Sequence, residues 1–208
     1  MGTASAATAP LGWDVAAEVG IAKSFPTGNA PGAPNPGLGP VFELQAHVAL
    51  LPMVRLGVYV AQDLSPASGV GARQFWTGGL HLKGIPPILA PPWRVWLFAG
   101  CGYAWTHAPP YTIQEPLVAG APETGDVRIG GVSGGLLEAP LGVGVGYRVR
   151  RPWELFAELG ARLRLAFWGA MYAGGATGPG TDATGTAQPF MGKDSFALSL
   201  SLGLSFAE

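Results

Sequence analysis

Eight segments of this chain alternate apolar residues with polar or small ones at a strict period of two, the period of strands. Successive strand side chains point to opposite sides, so each segment defines two faces of different chemistry. Residues 153–168 carry the pattern most plainly. Trp153, Leu155, Ala157, Leu159, Ala161, Leu163, Leu165 and Phe167 share one face; Glu154, Glu158, Gly160, Arg162 and Arg164 share the other. Segment 136–150 opposes Leu137, Leu141, Val143, Val145 and Tyr147 to Glu138, Gly142, Gly144, Gly146, Arg148 and Arg150. Segments 12–25, 41–50, 54–63, 72–83, 93–106 and 195–206 repeat it. Segment 93–106 is the least clean, because Trp96 and Phe98 fall on the polar face if Val95, Leu97, Cys101, Tyr103 and Trp105 form the apolar one.

The connections alternate too. Residues 51–53, 84–92 and 151–152 make the shorter ones; 26–40, 64–71, 107–135 and 169–194 make longer ones rich in Gly, Pro, Thr and Ala. An even strand count with short turns at one end and longer loops at the other predicts an all-β, eight-stranded antiparallel up-and-down barrel over 12–208, behind a flexible segment 1–11. The 84–92 connection, with four prolines, is long for its end.

Alternation alone also suits a soluble lipocalin-like barrel, so the faces must decide. Charged residues are only 12% of the chain, half the share usual in soluble domains, and nearly all strand charges lie on the face shared with Gly and Ser. An eight-stranded barrel encloses room for modest side chains only. Seven or eight strands of Leu, Val, Trp and Phe therefore belong outside, against lipid, with short periplasmic turns and longer extracellular loops. Trp13, Trp153 and Phe206 fall near the turn end, and Phe25, Trp76, Tyr103, Trp105 and Phe167 near the loop end, as two interfacial girdles require. No apolar run reaches the length of a membrane helix. A net charge of −1 gives nucleic acid nothing to bind. One cysteine allows no intramolecular disulfide or Cys-based metal site, and no two of the three histidines stand at ligand spacing, so no metal or cofactor is expected.

The inward set then holds a lumen charge network of Glu18, Glu43, Arg55, Asp63, Arg73, Glu138, Arg148, Glu154, Glu158, Arg162 and Arg164. Hairpin register about the turns pairs Arg148 with Glu154, Glu138 with Arg164 and Asp63 with Arg73. Buried charges need such partners, so the expected role is a salt-bridged plug. Gly142, Gly144 and Gly146 read as space for long side chains on neighbouring strands.

The strand count, loop asymmetry and final strand Ser195-Phe196-Ala197-Leu198-Ser199-Leu200-Ser201-Leu202-Gly203-Leu204-Ser205-Phe206 resemble the eight-stranded outer-membrane barrel family typified by the OmpA-like transmembrane domain. In that class a terminal aromatic strand is the assembly signal; here Ala207 and Glu208 follow it. The resemblance implies a bacterial outer-membrane location, with a signal peptide, absent from residues 1–10, already removed. It implies outer-membrane lipid as a partner and, through the long loops, a surface or envelope protein. The expected function is a structural or surface-interaction role with at most minor solute passage. The rivals are an interfacial lipid-modifying enzyme and a soluble lipocalin-like binder. The enzyme would need a Ser–His–carboxylate group; His107 opens the third loop, but no nucleophile is identified beside it, so no catalytic residue is assigned.

Overall fold

A computed structural model of the chain describes residues 12–26, 36–67, 71–116, 124–129, 132–169, 176–177 and 195–207. The flexible segment expected at 1–11 lies outside the described residues. The strands are β1 (Trp13–Pro26), β2 (Leu38–Leu51), β3 (Val54–Ala67), β4 (Gly71–Gly84), β5 (Trp93–Ala108), β6 (Tyr111–Pro116), β7 (Thr124–Ile129), β8 (Val132–Arg150), β9 (Trp153–Gly169), β10 (Ala176–Thr177) and β11 (Ser195–Ala207). Eight of them close antiparallel in the order β1-β11-β9-β8-β5-β4-β3-β2. The other three make a small sheet, β10-β7-β6, within the two longest loops.

Closure is staggered. The pairings Ala16–Gln45–Tyr59–Gly79–Gly102–Glu138–Arg164–Ser195 run once round the barrel and return to β1 at Pro26, ten residues beyond the start. A stagger of this kind is what tilts barrel strands by about 35–45°. Pro140 locally interrupts the β5–β8 ladder: pairing is broken between Ala99–Leu141 and Gly102–Glu138, while the β8–β9 side runs on through Pro140–Arg162. Proline has no N–H to give that side.

Several strands run further than the alternation indicated. β2 begins at Leu38 and β3 extends to Ala67, so Pro40 and Pro66, read from the sequence as loop residues, are strand residues. Both are exposed on the outer side near the rim. The long 85–92 turn is stitched to its neighbours: Ile85 N–H donates to the Met53 carbonyl (2.7 Å), and the Pro92 carbonyl accepts from Arg148 N–H (2.9 Å). It also packs Ile85 against the lumen cluster of Ala16, Trp96 and Phe156, closing the turn end with an apolar floor.

The two faces separate as the sequence indicated. Leu202 of β11 is 66% exposed on the outside, while Arg164 on the adjoining strand is 0% exposed inside. Trp96 is buried in the lumen, which settles the ambiguous fifth strand. At the turn end Trp13 stacks on Phe206 (5.5 Å), Trp153 meets Phe206 edge-on (5.2 Å) and Trp93 meets Tyr147 (4.9 Å). Phe25 and Phe196 make a pair at the loop end (6.1 Å). Trp13 and Phe25 stand twelve residues apart on β1; at about 3.3 Å per residue and a tilt near 40°, that is roughly 30 Å along the axis, a bilayer's hydrocarbon thickness. The side chain of Phe167 lies outside the described residues.

Candidate functional site: the charged lumen

Because β9 alternates, Glu154, Glu158, Arg162 and Arg164 descend one side of the lumen like rungs, and each meets partners from other strands. Near the loop end Arg164 donates through Nε to Glu138 Oε2 (2.7 Å) and through Nη2 to Asp63. Arg162 donates through Nη1 to Glu138 Oε1 (3.0 Å) and through Nη2 to Glu43. Glu138 also accepts from Tyr59 Oη (3.2 Å) and Thr77 Oγ1 (3.3 Å). The Arg164 guanidinium lies 4.3 Å from the Phe75 ring centroid, a cation–π contact beside the buried patch of Phe75, Ala104 and Leu136. Two arginines are thus shared among three carboxylates, all of them buried.

Toward the turn end the pattern changes. Glu158 accepts from Trp96 Nε1 (2.7 Å), lies 3.7 Å from Lys83, and shares Gln45 Nε2 with Glu43. Lys83 donates to Gln45 Oε1 (3.1 Å) and lies over the Trp96 ring. Asp14 pairs with Arg55, and its other oxygen accepts from His47 Nδ1 (2.9 Å). A carboxylate can only accept here, so that nitrogen of His47 carries a hydrogen; its Nε2 faces His81 Nδ1 at 3.2 Å. Arg94 donates to Glu154 Oε2 (3.0 Å). Glu18 stands opposite Glu43 across β1–β2 and accepts from Ser201 Oγ (3.3 Å).

Of the expected pairs, Glu138 and Arg164 meet. Asp63 does not meet Arg73: Ser65 lies opposite Arg73, and Asp63 reaches across the lumen to Arg164. Arg148 does lie opposite Glu154, but the carboxylate turns to Arg94 instead. Gly146, opposite Arg94 on β8, gives this crossing room: a Cβ there would meet Glu154 Oε1 and the Trp96 ring. Gly144 and Gly142 similarly leave room for Trp96 and Phe98. Arg55 joins through Asp14, and Arg73 is buried near the loop end. Asp14, Gln45, Lys83 and Arg94 were missing from the sequence-derived set, although each sits at an inward position of its strand.

Among the described residues the lumen holds little free space. Two internal voids measure about 20 Å³, among Asp14, Lys83, Arg94 and Glu154, and about 10 Å³, among Glu18, Glu43, Glu158 and Arg162. Each is the room of about one water.

Two crystal structures share the architecture. The chain is similar to Neisserial surface protein A (NspA), with a TM-score of 0.58 and 13% identity over 93% of this chain and 96% of that one. It is also similar to a major outer membrane protein from Thermus thermophilus, with a TM-score of 0.51 and 18% identity over 94% of this chain and 99% of that one. The likeness is one of fold. No family model matches the chain, and no curated protein matches it.

Outside the lumen, His107 has a partner that the sequence did not reveal. Its Nδ1 lies 3.2 Å from Ser133 Oγ, brought opposite by β5–β8 pairing, with Trp105 stacked on the imidazole. No carboxylate among the described residues completes a triad with them, so the pair assigns no catalysis.

Proposed function

We propose that this chain is an outer-membrane barrel with a structural or surface-interaction role, its lumen sealed by an ion-pair plug rather than open as a pore. The observation that carries the reading is the inversion of polarity. The outer wall is a continuous band of exposed Leu, Val and aromatic side chains, and the interior holds buried, paired charge. In water that arrangement exposes far more apolar surface than a soluble monomer tolerates; in lipid it leaves no unpaired sheet edge, and the exposed face of the barrel is almost free of charge between its two ends. Outer-membrane lipid covers the wall, and the β6–β7 hairpin gives the loop end a built element through which an envelope or surface protein can be met. A lumen with voids the size of single waters supports a closed barrel over solute passage.

The test is refolding into short-chain lipid, followed by gel mobility with and without boiling and by planar-bilayer recording. The expected result is a faster unboiled band, β structure that forms only with amphiphile, and no discrete conductance steps. A folded, monodisperse protein in plain buffer refutes the membrane reading, and stepwise conductance refutes the sealed lumen.

A further inference from the structure

Near its loop end the described outer wall carries one charge, Lys23. Of the residues of that face near the loop end with described side chains, it alone is ionic at every pH of interest, and no Asp or Glu shares the face there; a second exposed strand cation, Arg150, stands at the turn end opposite Trp153. Lys23 is exposed, stands near the loop end of β1 opposite Leu38 and Leu198, and holds its ammonium 5.5 Å from the Phe25 ring centroid. Beside it the wall is hollowed. A trough of about 510 Å³ is lined by Cys101, Leu137, Ala139, Leu163, Leu165 and Phe196. Small side chains, Ala139 and Cys101, sit between the larger flanking Leu and Phe.

The trough and the lysine are joined by one row of paired residues, Ala139–Leu163–Phe196–Phe25, with Lys23 two positions along β1 from its end. Tyr103 pairs with Leu137 and Trp105 with Gly135, so the trough opens at the level of the loop-end aromatics, where headgroups meet acyl chains. A second trough of about 440 Å³, lined by Trp13, Val15, Ala46, Val48, Leu56 and Leu80, lies toward the turn end, and no Lys or Arg lines it.

We infer that β8, β9, β11 and β1 form a binding face for one phosphorylated, multi-acyl lipid of the outer leaflet, its phosphate on Lys23 and one acyl chain in the trough. The charge is complementary to phosphate, and a lysine on this wall extends its ammonium toward the headgroups. Three strand spacings and two residues along β1 separate Ala139 from Lys23, roughly 16 Å. A lipid carrying several chains on one headgroup bridges that span. The inference rests on the outer-membrane reading above.

The full chain is refolded in detergent, its folding checked by the heat shift in gel mobility. It is then offered bisphosphoryl lipid A, phosphatidylcholine or excess inorganic phosphate, and retained adducts are read by native mass spectrometry. The expected result is one retained lipid A per barrel, not displaced by inorganic phosphate. Lys23→Gln lowers its retention about fivefold while Lys23→Arg keeps it, and Ala139→Leu, which fills the trough, lowers it too. Phosphatidylcholine is retained less and is indifferent to Lys23→Gln. Equal retention of the two lipids by the unaltered chain, or unchanged lipid A retention in Lys23→Gln or in Ala139→Leu, overturns the site. Either result in a heat-shifted, folded barrel leaves the outer-membrane reading standing; a chain that does not fold in amphiphile removes both.

Discussion

The two halves of the lumen hold charge in different ways. Near the loop end, Arg162 and Arg164 are each shared between carboxylates from different strands, and Glu138 serves both. Toward the turn end, Arg55–Asp14 and Arg94–Glu154 are one cation to one carboxylate, with the guanidinium side chains 15% and 20% exposed. Aromatic rings fill what remains there, Trp96 against Phe156 at 5.8 Å over Ile85. The first arrangement cross-links the barrel through its centre, so that β9 is tied to β2, β3 and β8 at once. The second pairs buried carboxylates with guanidinium groups that still reach water, beside an apolar floor. Ion pairs of similar length therefore have unequal consequences when one is broken.

The largest expected effect is at Arg164. Arg164→Met leaves Asp63 and one oxygen of Glu138 buried without their cation, a loss of about 3–5 kcal/mol, measurable as a lowered urea midpoint of the lipid-refolded barrel. Combining it with Asp63→Asn and Glu138→Gln removes the stranded charges, and most of that loss is expected to return. If the triple variant is as unstable as the single one, the upper cluster is not a coupled charge unit. Next comes the packing of the floor. Gly144→Ala drives a methyl into the Trp96 indole and is expected to cost about 1–3 kcal/mol, with the urea slope unchanged. A neutral result would mean that Trp96 has somewhere else to go.

How far the sequence revealed this contrast follows from the range of each contact. Glu138–Arg164 was legible because a tight corner at Arg151-Pro152 fixes the register of a local hairpin. Asp63–Arg73 was misjudged by a shift of two residues, since the strands extend into what reads as loop; a shift of two keeps every face and changes every partner. The cross-lumen contacts Arg164–Asp63 and Arg162–Glu43 depend on closure and stagger, which no single hairpin contains. Gly146 was legible as space, but whose side chain would use it was not: Glu154 crosses there to reach Arg94. Ser133 beside His107 was hidden for the same reason, because the pair spans a loop of two strands of its own.

The smallest expected effect is at Arg94, and it is the sharpest test of the difference. Its guanidinium is 20% exposed while Glu154 is buried, so Arg94→Gln is expected to let water follow the vacated path to the carboxylate, whereas Arg164 has no such path. The expected cost is about 1 kcal/mol or less, several times smaller than at Arg164, though the two bonds are nearly equal in length at 3.0 and 2.7 Å. Added salt should narrow the gap between Arg94→Gln and the unaltered barrel, because a part-exposed pair is screened more than a sealed one, and leave the Arg164→Met deficit almost unchanged. Urea midpoints of the three proteins at low and high salt measure both. Equal salt responses would show that water enters the upper lumen as freely as the lower, and the division between a cross-linked centre and a solvated turn end would be lost.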